Sequence, residues 1–248
     1  MKQQPLKKPK LHQELAARLE QMIFVGELAE GDQLPSERDL MAIFNVGRPA
    51  VREALLTLEN AGVVAVRSGM RAFVTRPTAA GMIGQLSQAA RHLLVRPEGI
   101  RNFQEARRLF ETGLAGMAAQ LGTPSDFEKL TAALEANRLS IGDRATFEQT
   151  DVAFHYAIAE VPRNPLFLAL HDAIVEWLID QRHLSLRRDG NERRAYDRHR
   201  EIHDAILARD AAAASAAMSA HLQEVEKLYW ATVEGAPRSV RPAGDDRE

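Results

Sequence analysis

One change of period constrains this chain more than any other feature. Along most of its length apolar residues recur three to four apart, the spacing that gives a helix one buried face. Between Val63 and Val74 the pattern shifts. Val63-Val64-Ala65-Val66 and Ala72-Phe73-Val74 are two short β-prone runs on either side of Arg67-Ser68-Gly69-Met70-Arg71. Two such runs around a glycine turn predict a hairpin. Helical segments precede it and only helical segments follow, so the chain is expected to be mainly α with one small β element.

Before the hairpin three helices are expected. Leu15, Leu19, Met22 and Ile23 mark the apolar face of the first, which Gly26 stops. Ser36 with Asp39 three residues on reads as an N-cap that opens the second, SERDLMAIF. Asn45 and Gly47 break it. Pro49 suits the first turn of the third, PAVREALLTLENAG, because its missing N–H would have no partner there. Three helices followed by a hairpin, with a short turn between the second and third, is the pattern of a winged helix-turn-helix. Thr75-Arg76-Pro77-Thr78 reads as a linker, and from Ala79 onward seven helices are expected, over 79–95, 98–121, 125–139, 144–160, 165–187, 190–208 and 210–233. Asp126, Asp143 and Asp210 sit near helix starts, where a carboxylate satisfies free N–H groups. The expected organisation is therefore a flexible arm over 1–9, a winged helix-turn-helix over 10–76, an all-helical bundle over 77–234 and a disordered tail over 235–248.

Composition excludes several classes. The 248 residues are 45% hydrophobic and 27% charged, the balance of a globular chain. With no cysteine there is no disulfide, no thiolate catalysis and no cysteine-ligated zinc, which leaves His, Asp and Glu as metal ligands. No apolar run reaches the roughly 18 residues of a membrane span, and MKQQPLKKPK lacks the apolar core of a secretory signal, so a cytoplasmic location is expected. Net charge is −2; residues up to 77 carry 11 Lys and Arg against 9 Asp and Glu, a weak asymmetry. The placement of the basic residues says more.

Arg48 and Arg52 are four apart at the start of the third helix, so both project from one face while Val51, Leu55 and Leu58 face inward. A guanidinium fork matches guanine O6 and N7 in the major groove and can bridge phosphates. Arg38 on the second helix and Arg67 and Arg71 on the wing add candidate backbone or minor-groove contacts. The stretch PSERDLMAIFNVGRPAVREALLTLENAGVV resembles the DNA-binding domain of the GntR family. That resemblance implies operator contacts for Arg38, Arg48 and Arg52. The chain departs from the family pattern at Gly47, where many members have Ser or Thr, and at Arg71, where the wing commonly has a second glycine.

A second constellation lies in the helical part. Asp151 and His155 are four apart in DVAFHYAIAE, His199 and His203 share that spacing in RHREIHDAI, and His221 stands in MSAHLQEV. On amphipathic helices such residues can converge on one divalent ion inside a bundle, Zn²⁺ or alternatively Ni²⁺, Mn²⁺ or Fe²⁺. This part resembles the FCD effector domain found in the FadR-type branch of the GntR family. The resemblance implies Asp151, His155, His199 and His221 as metal ligands, with His203 as an auxiliary pocket residue. It also implies Arg107 as a clamp for an effector carboxylate, with Arg108 as the alternative one face round.

Further stretches, MIGQLSQAA, FNVGRPAVREAL, NPLFLALHDAIVEWLI and RAFVTRPTA, are similar to the sialic-acid-responsive repressors of that branch. They imply a homodimer on double-stranded operator DNA, with N-acetylneuraminate as effector and release of repression of uptake and catabolic genes. A regulator answering another sugar acid or organic acid is the alternative. A metallohydrolase is a third possibility, but Glu148, Glu160 and Glu201 lack the HExxH arrangement that places a base beside the metal.

Overall fold

The structure is a computed structural model that describes residues 10–66, 71–187 and 190–234. It is mainly helical and divides into two compact units, one up to Gln85 and one from Leu86. Wing residue Arg67, the arm over 1–9 and the tail beyond 234 lie outside the described residues.

The first unit holds α1 (Leu11–Phe24), α2 (Glu37–Phe44), α3 (Arg48–Asn60), β1 (Val64–Ala65), β2 (Phe73–Val74) and α4 (Ala79–Gly84). Leu15, Leu19, Leu40, Val51, Ala54, Leu58, Val64 and Val74 are buried together in its core. The cap on α2 forms as expected: Ser36 Oγ accepts from the Asp39 N–H, and the Asp39 carboxylate accepts from the Ser36 N–H. Asn45 ends α2 in the left-handed conformation, at φ 49°. The hairpin is antiparallel, with Val64 opposite Val74. The loop before α2 also pairs with it: the Leu34 N–H donates to the Ala72 carbonyl, and Gln33 bridges Phe73. Sequence periodicity gave no sign of this third rung, because Gly31 to Pro35 is too short and polar to show alternation.

The second unit holds α5 (Ser87–Leu93), α6 (Pro97–Leu121), α7 (Pro124–Leu139), α8 (Arg144–Glu160), α9 (Pro165–Trp177), α10 (Ile179–Ser185), α11 (Asn191–Leu207) and α12 (Ala211–Glu234). Two expected helices are each broken in two. The segment 79–95 turns at Gln85, whose side-chain amide donates to the Asn60 carbonyl. The segment 165–187 breaks at Leu178, at φ −110° and ψ 24°. Neither Pro nor Gly marks the second break; buried partners hold it, including Arg182 on Asp151.

The bundle core is built around Phe147, Phe154, Ile158, Ile202, Ile206 and Met218. Helices α6 and α12 cross closely because the contact is made of small residues. A Cβ placed on Gly116 would meet Ser215 Oγ at 2.6 Å, and Ala115, Ala118 and Ala214 are fully buried nearby. This close crossing lets side chains of α6 reach those of α12 across the interior. Thr123 and Asp126 form a capping box on α7, and Arg163 holds the Asp126 carboxylate from the side at 2.9 Å.

Candidate functional site

In the first unit Arg48 and Arg52 leave α3 at its N-terminal turn and both approach Glu37 of α2, at 3.7 and 3.3 Å. Their side chains stay about two-thirds exposed. Arg38 and Arg71 are exposed as well, and both act on the Asp39 carboxyl, lowering its pKa after the larger effect of the Ser36 hydrogen bond. A recess of about 340 Å³ between Glu37, Leu55, Val66 and Arg71 completes the surface. Four of the five arginines expected to contact DNA thus surround the start of α2 and α3. Glu37 was not singled out in the sequence, since a glutamate in a first helical turn is ordinary dipole compensation.

In the second unit α8, α11 and α12 bring Asp151, His155, His199 and His221 together. One ligand atom from each lies within 4.8 Å of all the others, and all four residues are buried. Asp151 Oδ1 is 3.4 Å from His199 Nε2. The outer atoms of the set are tied to further side chains. His155 Nδ1 is 2.5 Å from Glu111 Oε2, His199 Nδ1 is 2.9 Å from Asn137 Oδ1, and Arg182 Nε donates to Asp151 Oδ2 at 2.8 Å. Asn137 is oriented in turn by its amide donating to Thr150 Oγ1 at 3.0 Å. Because a carboxylate and an amide oxygen only accept, each Nδ1 carries its proton, and Nε2 of His155 and His199 faces inward. Both Nε2 atoms are buried with no hydrogen-bond partner. Buried polar atoms are almost always satisfied, so two orphaned imidazole nitrogens beside a carboxylate indicate a place for a ligand atom.

Electrostatics agrees with this chemistry. Burial pushes His199 down to about 3 and takes His221 well below its ordinary value, leaving both imidazoles neutral. Burial alone would raise Asp151, but the Arg182 guanidinium, together with the three histidines around it, outweighs that and keeps the carboxyl ionised. Neutral imidazole and ionised carboxylate are the forms that bind a metal ion. The donor set therefore fits a divalent cation, and nitrogen-rich ligation of this kind suits zinc.

The remaining expected residues divide. Arg107 is brought to the cluster: it is 4% exposed, and its Nε donates to Glu111 Oε1 at 2.6 Å. Arg108 turns instead to Glu226, at 2.9 Å. His203 points away from the four, with Nε2 at 2.9 Å from Thr131 Oγ1 and Nδ1 at 2.9 Å from Asp204. Glu111, Asn137 and Arg182 have no local spacing signal that sets them apart as partners of the cluster. His171 was missed too. It is buried against Tyr156 with an unpartnered Nε2, and burial lowers its pKa.

Comparison with known proteins joins the two units. Residues 11–74 match the family described as bacterial regulatory proteins, gntR family, and residues 103–224 match the FCD domain. The chain belongs to the GntR family. Over 233 residues it is 44% identical to the HTH-type transcriptional repressor NanR of Citrobacter rodentium, covering 93% of this chain and 90% of that one. NanR of Salmonella arizonae is 43% identical over the same length, with 89% of that protein covered. Among solved structures, Streptococcus agalactiae GntR aligns with a TM-score of 0.59 at 24% identity, over 87% of this chain and 99% of that one. E. coli McbR/YncC aligns at 0.52 and 16%, over 91% and 100%. These two show a shared fold. This GntR-family chain is a DNA-binding transcription regulator and not an enzyme. No described helix is long and apolar enough to cross a membrane.

Proposed function

We propose that the chain is a metal-dependent repressor of genes for the uptake and catabolism of acidic sugars, acting as a cytoplasmic homodimer on operator DNA and released by N-acetylneuraminate. The observation that carries this reading is the buried Asp151, His155, His199 and His221 set with Arg107 beside it. Relatives named NanR over nearly the full chain support the choice of effector class.

On the DNA side, Arg38, Arg48 and Arg52 contact the operator, with Arg71 and Arg67 serving the wing. Glu37 holds Arg48 and Arg52 in register until phosphates or base edges replace it, an exchange that costs little because the pairs are exposed. Two heads on adjacent half-sites add their contacts through one linked framework.

On the effector side, Asp151, His155, His199 and His221 would hold the ion, Zn²⁺ being the best match to the donors. A bound divalent cation supplies a positive anchor for a carboxylate. Glu111 and Asn137 keep the Nε2 atoms of His155 and His199 facing it, and Arg107 adds hydrogen bonds to the same ligand group. Linkage requires the effector to prefer the conformer that binds DNA poorly, and DNA then weakens effector binding by the same factor.

The test is fluorescence anisotropy of zinc-loaded protein on its operator, at fixed salt. N-acetylneuraminate should lower operator affinity, and chelating the metal should abolish that response. Operator affinity that stays constant across acidic sugars and organic acids alike would sink the reading.

A further inference from the structure

Arg107 and Arg182 make a matched pair around the cluster. Each is more than nine-tenths buried, and each spends its Nε on a carboxylate oxygen of the cluster's surroundings: Arg107 on Glu111, Arg182 on Asp151. Among the described residues no hydrogen bond is found from the two terminal nitrogens of either guanidinium. A guanidinium has five N–H donors, so four on each arginine remain unspent and free to take a ligand oxygen.

Charge leads to the same place. Two guanidiniums are balanced by two carboxylates, Glu111 and Asp151. A divalent ion brings two further positive charges into a buried space, and a ligand that supplies negative charge and several oxygen acceptors suits both the charge and the donors.

We propose that Arg182 is a second effector anchor, its terminal nitrogens taking one oxygen function of the ligand while Arg107 takes another. The proposal rests on the effector reading above and narrows it. The ligand is an acid carrying at least one further hydroxyl or carboxyl group far enough from the first to reach a second guanidinium. Arg182 then sets specificity for oxygen-rich acids over simple ones, while its Nε keeps Asp151 turned toward the metal.

The test is isothermal titration calorimetry on the full chain, first with Zn²⁺ alone and then with N-acetylneuraminate and with acetate on the zinc-loaded protein. Arg182→Lys keeps a cation beside Asp151 and removes the fork. On the zinc-saturated variant, affinity for N-acetylneuraminate relative to acetate should fall at least about tenfold, the loss expected of a charge-assisted bidentate contact. An equal loss of acetate and sugar acid, or undiminished sugar-acid binding, overturns the proposal and leaves Arg182 a counter-ion. The wild-type protein supplies a check that needs no variant: affinity for N-acetylneuraminate no greater than for acetate also overturns it. If the wild type binds zinc and no acid, the effector reading falls and this proposal with it. If it binds the sugar acid and only the Arg182→Lys result fails, the effector reading stands.

Discussion

The head and the bundle use the same pair of residue types in opposite surroundings. In the head, Arg48 and Arg52 meet Glu37 with most of each guanidinium in water. In the bundle, Arg107 meets Glu111 and Arg182 meets Asp151 with side chains less than a tenth exposed. An exposed pair is worth about 0–1 kcal/mol and is easily exchanged for a phosphate. A buried pair contributes little net stability as a pair, but breaking it strands a charge, at about 3–5 kcal/mol. The same chemistry therefore makes exchangeable pairs at the surface of one unit and a fixed, buried frame in the other.

The largest expected effect tests this contrast directly. In metal-free protein Asp151→Ala should lower the stability of the helical unit by about 3–5 kcal/mol in chemical denaturation, because Arg182 loses its anion. Glu37→Ala should cost the head no more than about 1 kcal/mol. Similar costs for the two would erase the distinction drawn from burial.

Metal affinity sharpens the bundle's half of the comparison. His199→Ala should abolish tight Zn²⁺ binding and His203→Ala should leave it intact, since His203 is spent on Thr131 and Asp204. Asn137→Ala, which frees the outer nitrogen of His199, should weaken binding about 10–100-fold by competition with a chelating dye. Equal behaviour of His199→Ala and His203→Ala would mean the cluster is not the site.

For the head, Arg52→Ala should reduce operator affinity by about 1–3 kcal/mol, measured by anisotropy at fixed salt. A loss spread evenly over unrelated DNA would assign Arg52 to phosphate rather than base contact.

The smallest effect concerns caps, where both units use the same device. Ser36 with Asp39 opens α2, and Thr123 with Asp126 opens α7. Asp126 differs in having Arg163 as well. Despite the opposing effect of burial, its Thr123 and Arg163 contacts hold its carboxyl at about 2 against an ordinary 3.8. The folded state thus binds this proton more weakly than the unfolded chain. The stabilisation is complete above pH about 3.8 and is lost as pH falls toward 2. Asp126→Asn should flatten that part of the acid-unfolding curve and cost about 1 kcal/mol at neutral pH, a cap's usual worth. An unchanged acid limb would show that the Arg163 contact adds nothing.

Local signals in the chain carried much of this. The period change at Val63–Val74, the cap at Ser36 and the stops at Gly26 and Asn45 depend on neighbours a few residues away, and the elements formed where those signals stand. The four-residue spacing of Asp151 and His155 likewise placed both on one face of α8. The same spacing joined His199 to His203, and there it misled: two residues on one helix share a face only roughly, and packing sent His203 to α7 while His199 went inward. The break at Leu178 and the third rung of the wing left no local mark.

The order and type of most elements, and the residues from which a DNA surface and a metal cluster could be made, are legible in local sequence. Which of them meet depends on packing between distant helices. Glu111, Asn137 and Arg182 lie 44, 62 and 31 residues from the cluster side chains they hold, so no periodicity links them. Their roles arise from burial, which drives polar atoms to find partners and thereby sets which nitrogen of His155 and of His199 is engaged and which faces the cluster.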